Sequence, residues 1–97
     1  MLCFISYDLK GDDKNYQSLY DKIDSLGVSY RSSESTVFLR TDIDAGLVDA
    51  AIRSVVDEDA IFVVMDITGI EEEKYFGRVS SRTVGENFWK WIKDNNY

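Results

Sequence analysis

At 97 residues, 44% hydrophobic and 30% charged, this chain has the size and composition of one globular domain, neither disordered nor membrane-embedded. Its 18 acidic and 11 basic residues give a formal charge of −7, a balance that repels phosphate backbones at long range. With no histidine and one cysteine, it excludes His-based triads, imidazole zinc sites and an internal disulfide, and it suits a reducing, cytoplasmic setting.

Residues 2–9 read Leu-Cys-Phe-Ile-Ser-Tyr-Asp-Leu. Apolar side chains occupy both alternating faces, which predicts a buried, central strand with Asp8 at its end. Cys3 reads as a small core residue. The apolar opening has no basic flank and runs into Asp8, Lys10, Asp12 and Asp13, so it reads as neither a signal peptide nor a membrane span. Gly11 and the two aspartates form a turn. Tyr16, Leu19, Tyr20, Ile23 and Leu26 then recur at one helical face. Asp13 or Asn15 caps that helix, and Gly27 ends it as a C′ residue.

Residues 28–32 predict a short polar strand, and Ser33–Glu34 a tight connection. In residues 35–41, Val37 and Leu39 alternate with Thr36, Phe38 and Arg40, a strand whose faces meet different surroundings. Asp44 caps a second helix with Val48, Ala51, Ile52 and Val55 along its stripe. Residues 60–67 are a second nearly all-apolar strand. The Glu71–Glu73 run reads as a solvated break. Val84, Phe88, Trp91, Ile92 and Asn95 share one arc of a C-terminal helix, widened by Trp89.

The resulting order, β-α-β-β-α-β and a helix, is the split-βαβ signature. It predicts an α+β, ferredoxin-like domain over residues 1–97, with a four-stranded antiparallel sheet. The core is assigned to 1–67, a linker to 68–82 and the C-terminal helix to 83–96. Right-handed crossovers put the first and third strands in the middle and both early helices on one face. Residues 60–67 then form an edge strand as apolar as a buried one. Either the C-terminal helix or a second subunit must cover it, hence the expectation of a homodimer.

The chemical vocabulary that remains is carboxylates, hydroxyls and a few cations; no GxGxxG, P-loop or CxxC is present. Asp8 has two readings: a ligand for a hard cation such as Mg²⁺ or Mn²⁺, completed by a second copy across a dimer axis, or an acceptor in the following turn. Asp12 and Asp13 join that site or cap the helix. Ser29, Ser32, Ser33, Ser35 and Thr36 present hydroxyls to phosphate oxygens or to their own turn. Trp89 and Trp91 stack on bases or pack the core. Residues 74–97 carry a net +3, from Lys74, Arg78, Arg82, Lys90 and Lys93 against Glu86 and Asp94; the first 73 residues therefore carry −10.

Phe4-Ile5-Ser6-Tyr7-Asp8-Leu9, a polar turn, a helix ending in Leu26-Gly27, and Ser35-Thr36-Val37-Phe38 together resemble the small CRISPR-associated adaptation endonucleases. They also resemble short bacterial and phage relatives of that family and, more distantly, the virulence-associated protein D ribonucleases. The likeness covers residues 1–67. It implies a ferredoxin-like dimer in which Asp8 binds a divalent metal near the dimer axis and acts on RNA or DNA phosphodiesters, with Ser35 and Phe38 lining the cleft. Nucleic-acid-acting members carry basic residues after the first strand, whereas this chain sets Asp12, Asp13, Asp21 and Asp24 against Lys10, Lys14 and Lys22. Three functions follow as expectations: a metal-dependent nuclease, an acidic phage- or defence-associated module that binds a protein partner, and a nucleic-acid binder that uses the basic aromatic tail.

Overall fold

A computed structural model describes residues 1–9, 13–76 and 88–97. The elements are β1 (Leu2–Asp8), α1 (Asp13–Leu26), β2 (Gly27–Ser33), β3 (Thr36–Thr41), α2 (Ala45–Arg53), β4 (Ile61–Asp66) and α3 (Phe88–Asn95), with a 3-10 turn at Glu72–Lys74. The strands pair antiparallel in the order β2-β3-β1-β4, the ferredoxin-like arrangement that the element order predicts.

Alternation along each strand sorts the side chains into two cores. Cys3, Ile5 and Tyr7 of β1 and Val37 and Leu39 of β3 face α1 and α2, where they meet Leu19, Ile23, Val48 and Ile52. The helical stripes are those the sequence spacing marks. Asp44 caps α2 as expected: its carboxylate accepts the Leu47 N–H at 2.9 Å.

The opposite sheet face carries a second cluster, in which Leu2 and Tyr30 bury against Phe88 and Ile92 of α3. The core therefore extends beyond residues 1–67. Phe88 is 4% and Ile92 2% exposed, so α3 is a structural layer of the domain. Part of the stretch read as a linker is also tied down. The Thr68 hydroxyl accepts the Leu2 N–H at 2.8 Å, Asn96 Oδ1 accepts the Gly69 N–H at 2.6 Å, and Asn96 Nδ2 donates to the Ile70 carbonyl at 3.0 Å. Val84 and the rest of residues 77–87 lie outside the described residues, as do Gly11 and Asp12 of the first turn.

Gly27 corrects the sequence reading. It does not end α1 in a left-handed conformation; Gly69 is the glycine with positive φ among the described residues. Gly27 is the first residue of β2 and pairs with Thr41. A Cβ there would lie 2.0 Å from the Arg40 carbonyl oxygen, so close backbone approach is what requires glycine. The buried Thr41 hydroxyl supplies the helix-end contact instead, donating to the Leu26 carbonyl at 2.7 Å.

Candidate functional site

The sheet face opposite α1 and α2 divides into two halves. α3 seats on the part built by β2, β3 and the start of β1, through Leu2, Tyr30 and Phe38. The other half, formed by the end of β1 and by β4, is left uncovered by α3. In register, Phe4 lies beside Met65, Ser6 beside Val63 and Asp8 beside Ile61, and paired residues share a face. Ile61, Val63 and Met65 are 58%, 49% and 51% exposed. Phe62 and Val64, on the other face, pack against the first core.

β4 thus stands at the sheet edge with an apolar stripe in solvent. Its sequence Ile-Phe-Val-Val-Met-Asp has no proline and no charge before Asp66. Natural edge strands are usually protected by a bulge, a proline or an inward-pointing charge, and β4 has none of these. At its end, the Asp66 carboxylate accepts the Thr68 backbone N–H at 2.9 Å, and that bond holds its pKa below the usual range. The C-terminal helix therefore answers only half of the covering problem the sequence poses.

Asp8 is exposed on the half that α3 leaves uncovered, at the end of central strand β1, as predicted. The exposed Ser35 turn lies at the same end of the sheet, where the Ser35 carbonyl accepts the Tyr7 N–H at 3.0 Å. Phe38 lies elsewhere, under α3. Its ring meets Phe4 edge-on at 5.3 Å and Phe88 at 4.9 Å. Asp8 and Ser35 are thus brought to one end of the sheet, and Phe38 is packed into the second layer.

Among the described residues, no three Cys, Asp or Glu side chains converge as a metal-ligand set. Mg²⁺ keeps several of its waters and is usually held by one or two carboxylates together with substrate phosphates. The buried titratable side chains offer no activated nucleophile: burial pushes the Cys3 thiol up to about 11 and raises the Tyr7 phenol above its ordinary value.

The hydroxyl cluster and the tail find partners within the chain. Ser29 donates to Asp24 at 2.7 Å; Thr36 Oγ1 lies 2.7 Å from Ser32 Oγ and 2.6 Å from Ser33 Oγ. Trp89 stacks on Tyr75 with centroids 5.8 Å apart, and Trp91 packs against Tyr30 at 5.6 Å. Lys93 bonds Glu72 of the acidic run at 2.5 Å, and that bond raises its pKa. Among the described residues, no helix is long and apolar enough to cross a membrane. No family model matches the sequence, and no curated protein matches it.

Proposed function

We propose that this chain is a non-catalytic interaction module that pairs with a second copy through β4 and presents its acidic surface to a protein partner. One observation carries the reading: the edge strand β4 holds Ile61, Val63 and Met65 in solvent, with no charge among residues 61–65. An unprotected apolar edge is a template for strand addition. A second β4 is a fitting occupant, because antiparallel pairing centred on Val63 is self-complementary. It would join two four-stranded sheets into one of eight and bring the two stripes side by side. The net charge of −7 suits the surface left outside this interface to a basic partner.

The test is the mass in solution. Sedimentation equilibrium of the wild type should give a dimer, and Val63→Lys, at a residue already 49% exposed, should give a monomer with an unchanged circular dichroism spectrum. A wild-type monomer at ~100 μM, or a Val63→Lys dimer of wild-type affinity, would remove β4 as the interface, since an apolar edge of this kind should not survive a like-charge pair at its centre.

The exposure of Asp8 beside the Ser35 turn favours a second reading, a Mg²⁺- or Mn²⁺-dependent nuclease with one Asp8 from each copy. This reading needs a different dimer. Pairing through β4 puts the two Asp8 residues at opposite ends of the joined edges, roughly 20 Å apart from strand rise and spacing, too far to share an ion. Incubation with RNA and DNA plus Mn²⁺, beside Asp8→Ala, separates the two. The β4 module predicts no cleavage by either protein, and the nuclease reading predicts cleavage lost on substitution.

A further inference from the structure

Between α3, the strands beneath it and the 3-10 turn lies a cavity of about 280 Å³, distinct from the β4 stripe. Aromatic rings make up half of its described lining residues: Phe4, Phe38, Tyr75, Phe76, Phe88 and Trp89. At one end stand the hydroxyls of Ser32, Ser33 and Thr36. None of the described lining side chains carries a charge.

The hydroxyl end has a definite hydrogen-bonding demand. Three O–H groups supply three donors, and the contacts of Thr36 Oγ1 with Ser32 Oγ and Ser33 Oγ consume two. Ser33 Oγ also accepts the Ser35 N–H at 3.3 Å. Whichever way the chain of hydroxyls runs, one O–H remains to be donated. Ser32 is only 8% exposed, whereas Ser33 is open to solvent, so the hydroxyl end runs from a buried position to the cavity mouth. Across the cavity rim, the Phe76 ring is 85% exposed, an apolar surface that no described residue covers.

We propose that this cavity binds an uncharged, planar aromatic molecule of one or two fused rings that carries a hydrogen-bond acceptor on one edge. The volume sits at the lower end of the range for small-molecule sites, which limits the ring count. Offset and edge-on contact with several rings favours a flat π-system. The unspent O–H calls for a carbonyl oxygen or ring nitrogen. The described part of the wall supplies no counter-charge, and the protein's net charge of −7 disfavours an anion.

2-Quinolone is a suitable probe, compared with indole, which lacks the acceptor, and quinoline-4-carboxylate, which is anionic. In ¹H–¹⁵N correlation spectra, 2-quinolone should give saturable shifts centred on Ser32, Thr36, Phe38 and the Trp89 side chain. The two comparison compounds should bind at least about 10-fold more weakly. Replacing all three hydroxyls, Ser32→Ala/Ser33→Ala/Thr36→Val, removes every donor at that end and should weaken 2-quinolone about 3- to 10-fold, the worth of one neutral hydrogen bond. Phe76→Ala removes an exposed ring without touching the core and should weaken all three compounds that bind. Absence of saturable shifts at these residues up to 5 mM probe would overturn the proposal, as would equal affinity for the anion or wild-type affinity in a folded triple variant.

Discussion

Gly27→Ala should lower the melting temperature by roughly 12–24 °C, which corresponds to about 3 kcal/mol for a domain of this size. The new methyl carbon would sit 2.0 Å from the Arg40 carbonyl oxygen, 3.1 Å from its carbon and 3.2 Å from the Thr41 Cα. All three atoms are backbone, held by the β2–β3 ladder, so no side chain can swing aside. Relief requires β2 to part from β3 where Gly27 pairs with Thr41, which also pulls Thr41 from the Leu26 carbonyl that its hydroxyl satisfies. Gly27→Asn distinguishes this cause from the helix-terminator reading. Asparagine tolerates a left-handed conformation, so it would substitute well at a C′ position; at a close approach it should destabilise at least as much as alanine. Differential scanning calorimetry of both variants checks the point. A melting temperature within about 3 °C of wild type for alanine would show that the two strands separate there at little cost.

Phe88→Ala should cost about 3–5 kcal/mol in urea unfolding, a large share of the roughly 5–15 kcal/mol that holds a domain together. The ring is 4% exposed and meets Tyr30 at 5.2 Å, Phe38 at 4.9 Å and Trp89 at 4.8 Å. Its loss opens the centre of the second core, and Tyr30, Phe38 and Trp89 each lose a ring contact. Leu2 and Tyr30, buried beneath α3, would gain solvent. Truncation at residue 87 goes further and should abolish cooperative unfolding, since it bares the whole face that α3 covers. That outcome separates a structural tail from a nucleic-acid arm: an arm could be removed without loss of the domain. A small urea shift for Phe88→Ala, under about 1 kcal/mol, would contradict the burial of this helix.

These expectations show which parts of the molecule were legible in the chain. Apolar residues on both faces of residues 2–9 marked a central strand, and β1 does lie between β3 and β4. The 3.6-residue spacing of Leu19 with Ile23 and Val48 with Ile52 picked out the buried faces of α1 and α2. Asp44 was legible as a cap because the interaction spans three residues. Gly27 was misread because a helix terminator and a point of close strand approach leave the same letter in the sequence. The place of Asp8 at the end of the central strand follows from the pattern; its nearness to the Ser35 turn came only with the fold. Phe38 could be assigned to the outer sheet face but not to its occupant there.

What the sequence determined by itself was the set of elements, their order and the faces they bury, because these depend on periodicity and on contacts within a few residues. Only the tertiary structure decided how one sheet face is shared. α3 covers Leu2, Tyr30 and Phe38 and leaves Ile61, Val63 and Met65 bare. That outcome rests on pairings between residues far apart in the chain, such as Leu2 with Thr68 and Gly69 with Asn96, which anchor the C-terminal helix toward one side of the sheet. The apolar letters of α3 and β4 are alike; which of them finds a partner within the chain is set by geometry.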